Sequence, residues 1–355
     1  MRLHLDKIAS STRNVAIPRD ARITSTIVAG EGYIVAGRIR GNKSTYNQLE
    51  DVYGRLLPLH DGDLIAGVLG PRNALQGYAG VVPENIQVGD TLHVLNLGGV
   101  VGKCTSVNPE LGRPFEYEVL GGVLVFPEFG DRSGQPAHIR MNAIEADFSA
   151  TGRFPPVVFV AGTCMNSGKT SAASRLIREL NKRGMRVGGC KLTGVSLRRD
   201  TLQMFDYGAR HAVSFTDAGV VTTTPATAPD VARTLLAHLA ETGVDVIIAE
   251  LGDGIAGEYG VQEILSEPDL RALSTVFLLC ASDPVGAWGA QRLLTEQYSI
   301  NIDLVSGPVT DNAVGTRYIT RTLGCAALNA RTHAEELGDF VAQRLPAPAL
   351  VRTDE

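Results

Sequence analysis

The ten residues Ala161-Gly-Thr-Cys-Met-Asn-Ser-Gly-Lys-Thr170 constrain the fold more than any other part of the sequence. They follow the continuous apolar run Val157-Val-Phe-Val-Ala161, which is typical of a strand buried on both faces. A helix is predicted from Lys169 to Arg183, with Gly184 as its C-terminal stop. A glycine-rich turn between a buried strand and a helix N-terminus is the context that a phosphate-binding loop requires. A turn that binds nothing would not account for Ser-Gly-Lys-Thr at this junction.

The loop predicts the groups that bind the phosphates of a nucleotide and a magnesium ion. Backbone N–H groups at the helix N-terminus favour phosphate oxygens. Lys169 would reach the β- and γ-phosphates, and the Thr170 hydroxyl would bind Mg²⁺. The standard motif has a glycine where this chain has Thr163, and the glycine here is Gly162, one residue earlier. The predicted nucleotide-binding residues of the loop are Gly162, Thr163, Cys164, Met165, Asn166, Ser167, Gly168, Lys169, Thr170 and Ser171.

Strands and helices alternate after the loop, which predicts an α/β domain with a mostly parallel sheet. Further strands are predicted at residues 187–191, 244–249, 275–280 and 302–305. Further helices are predicted at residues 202–210 and 229–241, through Trp288 and Leu294, and near residues 314–323.

The first 150 residues lack the alternation of strands and helices that follows the loop. Short β-type runs alternate with turn residues, which predicts a barrel or a sandwich. The dense glycines between Gly62 and Gly102 fit tight turns or a glycine-lined ligand surface. Tandem prolines in the segment 149–156 predict a linker. We therefore predict a smaller β-rich domain at residues 1–150 and a P-loop nucleotide-binding α/β domain at residues 151–355.

Composition excludes several classes of function. Lys and Arg number 33 and Asp and Glu 38, giving a net charge of −5, so a broad basic face for nucleic acid is not expected. No apolar run approaches the roughly 18 residues that span a bilayer, and the N-terminus has no secretory signal. The five cysteines are widely spaced and form no C-x-x-C pair, which indicates a reduced chain. We expect a cytoplasmic protein that binds neither nucleic acid nor membranes.

The G-T-x-x-x-x-G-K-T form of the loop resembles the dethiobiotin synthetase and cobyrinic acid diamide synthase branch of P-loop proteins. The resemblance covers roughly residues 155–330 and is specific in the loop. It implies an enzyme that uses ATP and Mg²⁺, and a homodimer or higher homo-oligomer with the acceptor substrate near the subunit interface. It also implies a phosphate cradle formed by Gly162, Thr163, Gly168, Lys169 and Thr170.

Two strand ends match further motifs of that branch. Lys191 matches a lysine that contacts the substrate carboxylate or carbamate in dethiobiotin synthetases; a solvated strand-end lysine is the alternative. Glu250 is similar to the family's glutamate that helps to hold Mg²⁺, an ion that prefers hard oxygen ligands. Asp253 follows in a Gly-Asp-Gly turn and adds a carboxylate or caps a helix.

Three acidic residues lie between these two motifs, where the family has an aspartate that reaches the metal or the attacking water. We favour Asp200 and Asp217 over Asp206, because Asp206 falls in a predicted helix. The preceding pair Arg198-Arg199 would clamp a phosphate or a carboxylate, or lie on the surface. The predicted metal ligands are therefore Thr170, Asp200, Asp217 and Glu250.

Asn312 lies after a late strand, where P-loop folds of this kind often bind the base. The chain has no Asn-Lys-x-Asp guanine signature, which favours ATP and predicts a contact between Asn312 and adenine. A helix cap formed by Asn312 with Asp311 is the alternative.

These observations predict a Mg²⁺-dependent enzyme that uses ATP to activate a small carboxylate, carbamate or similar acceptor by γ-phosphoryl transfer. Lys169, Lys191 and Glu250 are the predicted catalytic residues. The alternative is a nucleotide-driven switch or a metallocentre-insertion chaperone, whose relatives often carry metal on His and Cys clusters that this sequence lacks. Stimulation of turnover by a small acceptor favours the enzyme, and stimulation by a protein partner favours the switch.

Overall fold

A computed structural model describes residues 1–128, 130 and 132–346, and the chain divides into two compact units. The first unit comprises residues 1–144 together with residues 194–199 and 215–223. The second unit comprises residues 145–193, 200–214 and the chain from residue 224 onward. No helix among the described residues has the length and apolar character that crossing a membrane requires.

The first unit is a β-structure built around a closed barrel. Strand β4 pairs with β7 and β12, β11 pairs with β7 and β10, and β10 pairs with β12, which closes the ring. The strands are β1 Arg2–His4, β2 Lys7–Ile8, β3 Asp20–Thr24, β4 Ile34–Arg40, β5 Gln48–Glu50, β6 Leu56–Pro58, β7 Leu64–Leu69, β8 Arg72–Asn73, β9 Tyr78–Val81, β10 Thr91–Val94, β11 Val100–Val107, β12 Glu116–Val125 and β13 Gln135–Pro136. Short 3₁₀ helices occur at Ser10–Thr12, Pro109–Leu111 and Ile139–Asn142.

Alternation along the strands separates the barrel interior from its outer face, because successive side chains point to opposite sides of a sheet. Val35 and Ile39 of β4 belong to one buried cluster, whereas Ile34 and Ala36 belong to another. The interior holds Tyr117, whose hydroxyl donates to two strand carbonyls at 2.8 and 3.1 Å. A buried tyrosine hydroxyl that is bonded in this way stabilises the barrel without leaving an unsatisfied polar group.

The second unit has a sheet of seven parallel strands, in the order β16-β15-β17-β14-β18-β19-β20. Its strands are β14 Val157–Gly162, β15 Val187–Lys191, β16 His211–Ser214, β17 Val246–Glu250, β18 Ser274–Cys280, β19 Leu304–Ser306 and β20 Ala326–Ala327. Its helices are α1 Lys169–Lys182, α2 Arg199–Asp206, α3 Ala228–Glu241, α4 Val261–Ser266, α5 Pro268–Ala272, α6 Pro284–Tyr298, α7 Ala313–Tyr318 and α8 Ala334–Ala342, with a π-helical turn at Ile319–Leu323.

The loop-bearing strand β14 lies at the centre of this sheet, and all its residues are buried. One face of the sheet packs against α1, with Leu176, Ile177 and Leu180 in the shared core. Because the strands are parallel, their carboxyl ends meet at one edge, where ligands bind in open α/β sheets. The strands therefore bring the residues that follow β14, β15 and β17 to a common edge.

The predicted fold class, an α/β P-loop-type domain preceded by a β-rich domain, is confirmed. The chain changes unit after Ile144, close to the predicted linker; the last residues of the predicted second domain, 347–355, lie outside the described residues. Residues 194–199 and 215–223, which the sequence places in the second domain, belong to the first unit. There Ser196 N–H donates to Val221 O at 2.8 Å, so the two segments bind each other.

Candidate nucleotide site

The predicted phosphate-binding loop connects β14 to α1 with a tight backbone. Gly168 at the start of α1 has φ 98° and Asn166 has φ 60°, so both lie in the left-handed region. A Cβ on Gly162 would lie 2.3 Å from the Ser167 hydroxyl oxygen, which only a glycine avoids. The loop therefore needs its glycines at residues 162 and 168 for steric reasons.

The Lys169 ammonium lies over the loop and is 6% exposed. It donates to Cys164 O at 2.8 Å and to Asp253 O. Burial lowers the pKa of Lys169, and the charge of Glu250 opposes this shift. A buried ammonium held by carbonyl oxygens at a helix N-terminus is suited to bind phosphate oxygens.

Thr170 and Glu250 form the second part of the site. The Thr170 hydroxyl donates to Glu250 Oε1 at 3.0 Å. Glu250 is 1% exposed, and its Oε2 has no hydrogen-bond partner among the described residues. A buried carboxylate oxygen without a partner is costly, which indicates that the site accommodates a further positive group.

Lys191 and Asp200 lie beside this carboxylate. In the sheet register Lys191 is the neighbour of Glu250, and its Nζ lies 4.0 Å from Glu250 Oε1. The same ammonium forms an ion pair with Asp200, which is also buried. The structure thus brings together four predicted residues, Thr170, Lys191, Asp200 and Glu250, at the carboxyl edge of the sheet.

The donor set fits a magnesium ion. A threonine hydroxyl and one or two carboxylates, completed by phosphate oxygens and waters, are the usual protein ligands of Mg²⁺. Thr170 and Glu250 provide the hydroxyl and one carboxylate. Asp200 provides a second carboxylate nearby, because Lys191 pairs with Asp200 and also lies close to Glu250. No cluster of three or more His, Cys, Asp or Glu side chains suited to a metal ion occurs in the described part of the chain.

The buried carboxyl group makes stability depend on pH. Burial raises the pKa of Glu250 from about 4.5; Lys191 opposes this shift, and Asp200 adds to it. Because the folded pKa is raised, the contribution of Glu250 to stability is fully present below pH 4.5 and is lost as the pH rises through the folded pKa. We expect the free energy of unfolding of Glu250→Gln to increase relative to that of wild type as the pH rises through this range. Urea unfolding without Mg²⁺ measures the difference. The exposed Glu241→Gln should show no such trend; equal trends in both variants would contradict the assignment.

The turn after β17 also contacts the phosphate-binding loop, which the sequence does not reveal. A Cβ on Gly254 would lie 2.9 Å from both Cys164 Cα and Thr163 O, so this glycine permits close backbone approach. Asp253 has φ 69°, a strained conformation for a non-glycine residue, and supplies a carbonyl to Lys169. The Gly-Asp-Gly sequence is the only signal of this arrangement, and Asp253 caps no helix there.

We expect Gly254→Ala to destabilise the second unit by roughly 1–3 kcal/mol, because the new methyl group overpacks the backbone of the loop. Nucleotide binding should weaken with it. The matched control is Gly289→Ala in α6, where nothing lies within 4 Å and a helix interior favours alanine by up to about 1 kcal/mol. Urea unfolding of both variants measures the difference, and equal stabilities would contradict the close approach.

The segment after β19 also packs on the loop. A Cβ on Gly168 would lie 3.2 Å from Gly307 Cα, so the residues before Asn312 pass beside the N-terminus of α1. Asn312 itself caps α7, accepting from the N–H groups of Val314 and Gly315. The capping alternative is therefore observed, and adenine contact by Asn312 stays a prediction. Asn329, which the sequence did not single out, is buried and donates to Asp311 at 2.8 Å.

Asp217 has a different environment from the other predicted metal ligands. It belongs to the first unit, where its carboxylate accepts from two nitrogens of Arg13, at 3.0 and 2.9 Å. A guanidinium held in this two-point geometry uses both carboxylate oxygens. We therefore leave Asp217 out of the proposed metal site. Asp206 is the last residue of α2, which begins at Arg199 and not at the predicted residue 202, so Asp200 lies in the same helix as Asp206.

The arginines before Asp200 also belong to the first unit. The Arg198 side chain binds Val52 O, and the backbone N–H groups of Arg198 and Arg199 donate to the buried Glu50 carboxylate at 2.6 and 2.7 Å. Arg198 therefore has a structural contact within the first unit, whereas the predicted clamp requires it to bind a ligand.

Three solved structures that resemble part of this chain are each similar to it at low identity. No protein-family model and no curated protein matches the chain. Among solved structures, similarity is found to the signal recognition particle 54 kDa protein of Aeropyrum pernix in complex with GDP (19% identity, TM-score 0.36, 55% of this chain and 47% of that chain). A DUF1611 family protein from Anabaena variabilis matches at 14% identity and TM-score 0.42, over 58% and 63% of the two chains. The cell division protein FtsY of Thermotoga maritima matches at 17% identity and TM-score 0.37, over 58% and 72%.

The matches span less than two-thirds of the first two of these chains, and their TM-scores are too low to support a functional argument. The assignment of the second unit therefore depends on its own geometry. A buried central strand, a loop with the left-handed residues Asn166 and Gly168, a buried lysine and a helix N-terminus form a P-loop α/β fold. The similarity to the dethiobiotin synthetase branch remains a prediction from the sequence.

Proposed function

We propose that the second unit binds a nucleoside triphosphate with Mg²⁺ and transfers its γ-phosphoryl group to a small carboxylate or carbamate. The observation that carries this proposal is the juxtaposition of Lys169 and Thr170 with the buried Glu250, whose Oε2 has no partner among the described residues. Such a set of charges suits phosphoryl transfer, in which positioning and charge neutralisation supply most of the catalysis.

The loop residues would bind the phosphates. Lys169 would exchange its carbonyl contacts for phosphate oxygens, and the backbone N–H groups after Gly168 would bind the same anion with the help of the α1 dipole. Thr170 and Glu250 would hold Mg²⁺, with Asp200 as a further carboxylate. When bound, the ion neutralises charge on the phosphate oxygens.

Lys191 would bind the acceptor anion. Its ammonium lies at the carboxyl end of β15, next to Glu250 and paired with Asp200. An acceptor oxygen would attack the γ-phosphorus, the bond from that phosphorus to the bridging oxygen would break, and the nucleoside diphosphate would leave. An amine would then attack the carbonyl carbon of the resulting acyl phosphate, the bond from that carbon to the phosphate oxygen would break, and inorganic phosphate would leave, as the sequence resemblance implies. ATP is the proposed nucleotide because the chain has no guanine signature.

A nucleotide-driven switch is the second candidate, and one feature of the chain favours it. The connection from Lys191 to Asp200 passes through residues 194–199, which belong to the first unit. Two residues of the candidate site are thus joined by a segment that folds with the other unit.

Phosphate release in the presence of small acceptors separates the two candidates. We would measure ATP and GTP turnover with Mg²⁺, alone and with panels of short carboxylates and amines. Stimulation by an acceptor, together with transfer of labelled phosphate to it, supports the enzyme. Slow turnover that no small acceptor changes and that a protein partner accelerates supports the switch and contradicts the enzyme proposal.

A further inference from the structure

The first unit contains a cleft of about 680 Å³ that the proposed nucleotide chemistry does not use. Its size falls within the roughly 300–1,000 Å³ of small-molecule sites. The cleft lies over the outer faces of β1, β3 and β12, and the segment around Val15 and residues Met141 and Asn142 also line it. All these residues belong to the first unit, so the cleft is a feature of that unit alone.

Two arginines lie side by side in this cleft. The register of the antiparallel strands pairs Arg2 of β1 directly with Arg22 of β3, and Arg22 with Leu124 of β12. Directly opposed residues share one face of a sheet, and like charges in that position destabilise it. Neither guanidinium has an ion-pair partner among the described residues. An anion bound by both would remove the repulsion.

One carboxylate also lines the cleft. Asp20 lies two residues before Arg22 on the same strand, and its Oδ1 lies 2.8 Å from His4 Nδ1 on the neighbouring strand. Arg2, Arg22 and Asp20 together leave one net positive charge in the cleft. The cleft therefore favours a ligand with a single negative group over a dianion.

The remaining lining is apolar and aromatic. The Arg22 guanidinium lies 4.9 Å from the centre of the Phe126 ring, in a cation–π contact that fixes the orientation of the arginine. Leu124, Val125 and Pro127 extend this surface. A guanidinium stacked on an aromatic ring keeps its edge available for a carboxylate, which it binds bidentately.

We propose that this cleft binds a small monocarboxylate with an apolar or aromatic body. The carboxylate binds between Arg2 and Arg22, and the body lies against Leu124 and Phe126. This site is separate in sequence and chemistry from the phosphate-binding loop, and it gives the β-rich unit a ligand of its own.

The test uses 4-phenylbutyrate and its neutral amide as probes on the full-length protein, by ligand-detected NMR titration. We expect the carboxylate to bind and the amide to bind at least about tenfold more weakly, because only the carboxylate gains charge-assisted hydrogen bonds. Arg2→Gln and Arg22→Gln should each weaken carboxylate binding about tenfold. Arg55→Gln removes the same charge from an exposed position that does not line the cleft, and should bind as wild type does.

Thermal unfolding of the same variants shows whether weaker binding is caused by a folding defect. Because each cleft variant removes a like-charge contact at an exposed position, its unfolding temperature should be no lower than that of wild type. Equal binding of carboxylate and amide, or unchanged binding in both stable cleft variants, would overturn the proposal. Absence of carboxylate binding to wild type would overturn it as well, while leaving the nucleotide site untouched.

Discussion

Replacing Lys169 with alanine should reduce nucleotide turnover by about a thousandfold. Removing one group that stabilises transition-state charge costs roughly 10²–10³ in rate, and Lys169 is also the group placed to bind the phosphates in the ground state. The side chain now donates to Cys164 O and Asp253 O, while burial, which lowers its pKa, disfavours the charged group and so opposes these two contacts. The unfolding temperature of the variant should therefore stay close to that of wild type.

The matched control is Lys182→Ala at the other end of the same helix. Lys182 is 55% exposed in its side chain and pairs with Glu179 at 2.7 Å, a surface contact of little energetic weight. Phosphate release by this variant should equal that of wild type. If Lys169→Ala keeps wild-type turnover while remaining folded, the loop does not have the role assigned to it.

The Glu250→Gln substitution should raise the Mg²⁺ concentration required for half-maximal turnover and slow hydrolysis, each by about 10–100-fold. Substitution of a residue that orients a metal or its ligands typically lowers metal affinity or activity by this factor. The amide keeps the shape of the side chain, and its oxygen can still accept from the Thr170 hydroxyl. The variant thus removes the charge next to Lys191 and leaves the packing unchanged, so the effect reports on the ion rather than on folding.

A Mg²⁺ titration of turnover measures this change, with Glu241→Gln as a surface control of equal charge. An unchanged titration curve for Glu250→Gln would contradict the assignment of the metal site to the end of β17. A curve that shifts equally in both variants would show that the net charge of the protein, and not the buried carboxylate, controls the response.

The parts of the structure that sequence predicts well are those fixed locally. The strand–loop–helix around Lys169 depends on an apolar run, glycines and a helix start within one short segment. Lys191 and Glu250 were each expected at the carboxyl end of a parallel strand, and both lie there as neighbours in the sheet register. The fold class predicts the common edge, whereas their direct pairing also requires β15 and β17 to be adjacent in the sheet.

Residues in the connections could not be predicted in this way. Asp200 lies in the connection after β15 and Asp217 in the connection after β16, yet Asp200 pairs with Lys191 in the second unit and Asp217 pairs with Arg13 in the first. The difference depends on which unit each connection joins, and that depends on packing against residues far away in the chain. The pairing of Arg2 with Arg22 could not be predicted either, because the register between β1 and β3 depends on how both strands pack in the whole sheet.

Calorimetric titration of ATP and GTP with Mg²⁺ into wild type and Lys169→Ala tests the central claim most directly. We expect Mg²⁺-dependent binding of ATP to wild type, weaker binding of GTP, and loss of ATP binding in Lys169→Ala. Preference for GTP would contradict the adenine assignment and favour the switch. Equal binding of ATP by wild type and Lys169→Ala would contradict the claim that this loop is the nucleotide site.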